Sequence, residues 1–167
     1  DFQGEAVISP ALKPEHAAYL IKFGKTRRMR RDSGLIASQP DPLREAVGLP
    51  VGEEGEYFVG EEEWVSRGFG IIDANKPPKN QPGLWCSWHV IPNDNGDWVL
   101  CWSGMEKFYY YTEWLQYLID HFFGPWGYRL NGDISWSGED VKDVGRIHIQ
   151  DNQITLHTLR CAPEQAS

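Results

Sequence analysis

The residues from Tyr128 to Leu156 constrain the fold more than any other stretch, because their apolar positions recur with a period of two and allow few pairings. Tyr128, Leu130, Ile134 and Trp136 fall on one side of an uninterrupted strand, and Arg129, Asn131, Asp133 and Ser135 fall on the other. Asn131-Gly132 has the composition of a two-residue hairpin turn. A turn there would set Leu130 opposite Asp133 and Tyr128 opposite Ser135, mixing apolar with polar on each face, so the strand is read as continuous. Asp151-Asn152 passes the same test as a true turn, since it pairs Ile149 with Ile154 and Ile147 with Leu156. The C-terminal part is therefore read as a three-strand β-meander.

Upstream, Phe2 to Ser9 reads as a first strand. Pro14 suits the first turn of a helix over about residues 14–23, closed by Gly24. A short helix over Pro42–Val47 is expected, with Asp41 as cap and Gly48 as stop. Tyr57–Val59 and Phe69–Ile72 are candidate edge strands, and residues 75–83 form an extended connector. Leu84–Ile91 and Trp98–Trp102 flank a turn-rich loop and pair Val90 with Trp98, Trp88 with Leu100 and Cys86 with Trp102. In that register Trp88, Trp98 and Trp102 share an inner face, and Cys86 does not meet Cys101. Ser103 and Glu106 form an S-x-x-E capping box that opens a helix over about residues 104–123. Phe108, Tyr111, Leu115, Leu118 and Phe122 make its core stripe, with Tyr110, Trp114, Tyr117 and His121 beside it. Strands and helices interleave without regular βαβ periodicity. The fold class is α+β, a mostly antiparallel sheet with two main helices, in a single domain over residues 1–160 with a tail at 161–167.

Charge and composition remove several functions. Sixteen Lys and Arg against 24 Asp and Glu give a formal charge of -8, which argues against a general nucleic-acid or anionic-membrane binder. No apolar run reaches the ~18–20 residues of a membrane span. Three cysteines fit a reducing compartment better than a disulfide framework. Aromatic residues stand out at 13%.

The run Gln81-Pro82-Gly83-Leu84-Trp85-Cys86-Ser87-Trp88 is followed by Glu106-Lys107-Phe108-Tyr109-Tyr110-Tyr111-Thr112-Glu113-Trp114-Leu115. Pro125-Trp126-Gly127-Tyr128-Arg129-Leu130-Asn131-Gly132 and Trp136-Ser137-Gly138-Glu139-Asp140 complete the set. With Thr26-Arg27-Arg28-Met29 and Gly48-Leu49-Pro50-Val51-Gly52, this pattern resembles a family of small uncharacterised proteins of bacteria and their phages, over roughly Phe2 to Leu156. The resemblance carries no activity, ligand or catalytic residue. It implies a cytoplasmic location in a bacterial or phage-infected cell.

Two constellations carry the functional reading. Lys25-Thr26-Arg27-Arg28-Met29-Arg30-Arg31 is the one dense basic run, and guanidinium forks suit phosphate or carboxylate. The plainer reading pairs these arginines with Glu53, Glu54, Glu56, Glu61, Glu62 and Glu63 of the same chain. Trp64, Trp85 and Trp126 fall near loops or on the outer face, where they suit a stacking platform or a protein anchor unless another element covers them. The expected function is a non-catalytic binding protein in which Arg27, Arg28, Arg30, Trp64, Trp85 and Trp126 hold an anionic, ring-bearing ligand or a partner protein. One alternative is an acidic, protein-directed inhibitor or immunity-type protein. A second is a small hydrolase using Glu139 and Asp140, with Asp143 nearby and His121 or His148 as partner; a turn-forming role for these carboxylates is the plainer reading. A nucleophilic Cys86 or Cys101 rests on composition alone. His16, His89, His121, His148 and His157 show no metal-ligand spacing, and no cofactor fingerprint is present.

Overall fold

The computed structural model describes residues 1–60, 68–105 and 107–158. Residues 61–67, Glu106 and the tail at 161–167 lie outside the described residues, and with them Trp64, Glu61–Glu63 and half of the capping box. The chain divides into two compact units. The first holds residues 1–12, 87–107 and 118 onward, and the second residues 13–86 and 108–117.

The first unit is built on a six-stranded antiparallel sheet. Its strands are β1 (Phe2–Ser9), β4 (Trp88–Pro92), β5 (Trp98–Trp102), β6 (Arg129–Ser137), β7 (Val144–Gln150) and β8 (Gln153–Thr158), in the order β4-β5-β1-β6-β7-β8. The alternation read from the sequence decides the inner face: Leu130, Ile134, Ile147 and Ile149 are buried, while Arg129, Asn131, Asp133 and Ser135 are exposed. β6 is continuous through Gly132. A Cβ there would lie 2.7 Å from the Ala6 Cα, so glycine lets β1 and β6 approach closely at that crossing. The Asp151-Asn152 turn is present, with both residues at positive φ, and it pairs Ile149 with Ile154 and Ile147 with Leu156.

The β4–β5 register differs from the expected one by two residues: Trp88 faces Trp102, and Val90 faces Leu100. The cause is Asn93. Its backbone N–H donates to the Asp97 carbonyl, and its side-chain oxygen accepts from the Asn95 and Asp97 amides. This Asx-type closure tightens the loop to residues 93–97 and draws Pro92 opposite Trp98. The shift is even, so the tryptophans keep one face, and Phe2 packs against Trp88 and Trp102 at 5.2 and 5.5 Å between ring centroids. Cys101 stands opposite His89, so it does not meet the buried Cys86.

The second unit holds α1 (Pro14–Lys25), α2 (Ser33–Ile36), α3 (Pro42–Ala46) and a two-strand pairing of β2 (Arg30–Arg31) with β3 (Ile71–Asp73). Pro14 opens α1, which buries Ala17, Tyr19, Leu20 and Phe23 and runs one residue past Gly24. Asp41 precedes α3 but does not cap it. Its Oδ2 turns inward to accept from Arg44 Nε at 2.8 Å and from the Val59 amide at 3.2 Å. Tyr57–Val59 is not a strand, and β3 begins two residues after Phe69.

The main helix is shorter than its periodicity suggests. α4 covers Tyr111–Leu118, and a π-helical turn at Ile119–Phe123 continues it, closed by the Gly124 amide on the Ile119 carbonyl at 2.8 Å. The start moves from about 104 to 111 because Gly104, Lys107 and Tyr110 all hold positive φ, which no helix admits. Past that point the stripe behaves as expected, with Leu115, Leu118 and Phe122 buried. Trp114, Tyr117, Ile119 and Phe123 are buried too, so the helix is covered over most of its circumference.

Candidate functional site

Residues 26–31 run through the second unit outside any helix, turning at Arg27–Met29 before they enter β2. The Arg28 amide donates to the Leu84 carbonyl at 2.7 Å, and the Arg30 amide donates to the Lys76 carbonyl at 2.9 Å. The segments they bridge have almost no regular structure, so their carbonyls need donor partners from elsewhere. The arginine side chains supply them. Arg28, 2% exposed, lays its guanidinium 4.3 Å from the Phe23 ring centroid. It donates to the carbonyls of Phe58 (2.8 Å), Glu56 (2.7 Å) and Gly55 (3.4 Å) and to Gln81 Oε1 (3.2 Å). Burial pulls its pKa below the ordinary guanidinium value, and Tyr19 and Tyr117 act against that pull.

A second layer fixes this cation. Gln81 Nε2 donates to the Glu56 carbonyl at 2.6 Å and to the Tyr117 hydroxyl at 3.0 Å. Tyr117 in turn donates to Glu56 Oε2 at 2.7 Å. Burial, the first cause, pushes the Tyr117 hydroxyl far above the usual phenol value; the Gln81 hydrogen bond opposes this and the Glu56 carboxylate adds to it. Arg31 is buried with its guanidinium 4.9 Å from the Phe58 ring centroid. The expectation that Arg28 presents a fork to a ligand is thus corrected: its donors are taken up inside the fold.

Arg27 and Arg30 remain half-buried. Arg27 donates to the Ala74 carbonyl (3.0 Å) and to Asn75 Oδ1 (3.4 Å). Arg30 Nε reaches the Pro77 carbonyl at 3.3 Å and Glu54 Oε1 at 3.4 Å, where the Lys79 amide also donates at 2.6 Å. The plainer reading of the basic run, internal pairing with the acidic stretch, has this Arg30–Glu54 contact behind it.

Of the three tryptophans singled out, Trp85 is 45% exposed and directly follows Leu84, the backbone partner of Arg28. Trp126 belongs to the first unit and is half-buried, with its ring 5.4 Å from that of Phe122. Sequence reasoning missed Tyr109 and Tyr110, which are 66% and 55% exposed. It placed them inside a regular helix, where only the run Lys107-Phe108-Tyr109-Tyr110 itself hinted at an irregular start. Tyr110 lies over Gly83, two residues before Trp85: a Cβ at Gly83 would come within 3.2 Å of Tyr110 Cδ2 and 3.6 Å of Trp114 Nε1. That indole N–H is buried without a hydrogen-bond partner among the described residues. Exposed Tyr110 thus covers Gly83, with the Trp114 indole beside it, and the exposed Trp85 and Tyr109 are near neighbours of these two residues along the chain.

The carboxylates of the hydrolase reading sit in an exposed turn. Asp140 accepts from the Lys142 amide at 2.9 Å, and Asp143 accepts from Trp136 Nε1 at 3.1 Å. His148 pairs instead with Asp133 at 2.8 Å, beside Arg146 at 3.5 Å from the same oxygen. Burial, together with Glu5, pushes the Cys101 thiol up, the opposite of what a nucleophile needs. Among the described residues no group of three or more His, Cys, Asp and Glu is arranged to hold a metal ion, and no helix is long and apolar enough to cross a membrane. Compared with known proteins, the chain matches no family model, no curated protein and no solved structure.

Proposed function

We propose that this chain is a non-catalytic binding protein that takes a protein partner through the exposed aromatic side chains Trp85, Tyr109 and Tyr110. The observation behind this reading is the exposure of three large aromatic side chains, 45–66%, in one unit, with Tyr110 lying over Gly83 two residues before Trp85. Tyr and Trp supply large contact area at low entropic cost and dominate protein interfaces. A protein partner is favoured over an anionic ring-bearing ligand because the arginines meant for phosphate are engaged by carbonyls of the fold. The bacterial or phage setting comes from the family resemblance.

Photo-crosslinking in cells tests this. A benzophenone amino acid placed at position 85 or 110 should capture the same protein, and one at Val141, 82% exposed in the other unit, should not. Equal capture from all three positions, or none from 85 and 110, removes the proposal.

A further inference from the structure

The two edges of the six-stranded sheet are finished differently. β4 is five residues long and ends in Pro92, a residue that cannot donate to a further ladder. β8 reads Gln-Ile-Thr-Leu-His-Thr and carries no proline, lysine or carboxylate, the usual devices that blunt an edge. Its hairpin fixes which backbone groups face outward. The two-residue turn makes Gln150 and Gln153 a hydrogen-bonded pair, so Gln153, Thr155 and His157 bond to β7. Ile154, Leu156 and Thr158 therefore direct their N–H and C=O groups away from the sheet. No turn or loop hydrogen bond among the described residues reaches those groups. Leu156 is 48% exposed although it stands on the face of the buried Ile147 and Ile149, so the apolar row runs on past the last strand.

We propose that β8 pairs with β8 of a second copy of this chain, antiparallel about a twofold axis, joining two sheets into one. The strand matches itself. With Leu156 opposite its own counterpart, Ile154 meets Thr158, and all three outward residues are satisfied by about six hydrogen bonds. A register centred on Thr155 leaves Thr158 without a strand partner. Leu156 then adjoins Leu156 on one face, flanked by Ile154 opposite Thr158, and Thr155 adjoins His157 on the other, with no like charges opposed. The chain carries a formal charge of -8, so two copies repel over most of their surfaces. β8 offers an approach free of carboxylates.

Sedimentation velocity of the full chain, from micromolar to millimolar concentration, should show a monomer passing to a dimer. Leu156→Pro removes an outward N–H without touching the β7 ladder and should hold the chain monomeric, as should Leu156→Lys, which opposes two ammonium groups at the axis. In a Cys101→Ser, Cys161→Ser background, Leu156→Cys should form an interchain disulfide on oxidation, since a hydrogen-bonded antiparallel pair sets its Cα atoms about 5.5 Å apart. Thr155→Cys should not. A wild-type chain that stays monomeric throughout overturns the proposal, whatever the variants do. Cross-linking from Thr155→Cys but not Leu156→Cys, or a Leu156→Pro variant that folds and still dimerises, overturns the pairing described.

Discussion

The Tyr117 hydroxyl donates to the Glu56 carboxylate at 2.7 Å, and the carbonyl of that same Glu56 accepts from Arg28 at 2.7 Å. One residue thus links the helix α4 to the buried guanidinium through both its side chain and its backbone. Burying that cation away from water is costly unless its donors are met. The carbonyls of Gly55, Glu56 and Phe58 meet them.

Tyr117→Phe keeps the ring and removes the hydroxyl, taking one donor from Glu56 and one acceptor from Gln81. The expected loss is about 1–2 kcal/mol in urea denaturation, with the slope unchanged. A variant as stable as the parent would show that this hydroxyl adds nothing beyond what water gives.

Arg28→Lys preserves the charge but not the planar fork. A lysine ammonium has three donors and no flat face to lay on Phe23, so the carbonyl set is left partly unmet. Stability should fall by on the order of 3 kcal/mol. Binding through Trp85 should persist wherever the variant is folded, which separates a structural arginine from a contacting one.

Asp41 gives a pH dependence with a definite sign. Burial raises its pKa, against the opposing hydrogen bond from Arg44, and its Oδ1 is buried without a partner among the described residues. The folded state therefore holds this proton more tightly than the unfolded chain, and the stability it adds is present in acid and lost as pH climbs. Relative to Asp41→Asn, the parent should lose stability as pH rises from about 4, the unfolded value, through the raised folded value. Denaturation midpoints of the two proteins between pH 3 and neutrality measure the difference; parallel curves contradict it.

Gly145→Ala tests the meander. The Trp136 ring lies over Gly145, its partner across β6 and β7, so that an added Cβ would overlap the Cη2 and Cζ2 atoms. Displacing the ring breaks its hydrogen bond to Asp143. The expected cost is about 1–3 kcal/mol, read by thermal or urea denaturation together with a shift in indole fluorescence.

The meander was legible because strand alternation is strict: a one-residue slip from Tyr128 to Trp136 would have exposed the whole inner face. The α+β class, β1, α1 and the Asp151-Asn152 turn were legible for similar local reasons. The two-residue error between β4 and β5 came from a change that alternation cannot see, since even shifts preserve both faces and only the Asn93 side chain selects among them. The late start of α4 escaped because the aromatic stripe continues upstream of Tyr111 whether or not the backbone is helical. Arg28 escaped for a different reason. Its carbonyl partners lie in segments with no periodicity, and a buried arginine and an exposed one are spelled alike. Trp85 was found because alternation set it on the outer face of an expected strand that in fact starts only at Trp88, whereas Tyr109 and Tyr110 needed the true helix boundary.

The order β4-β5-β1-β6-β7-β8 puts the first strand of the chain in the middle of the sheet, between partners that begin at Trp98 and Arg129. During synthesis β1 therefore precedes both partners and must wait, unmatched, until the chain as far as Trp98–Trp102 has left the ribosome. For that interval its apolar residues Ala6 and Ile8 are open to any passing strand, so a nascent-chain chaperone should raise the yield of correctly paired sheet.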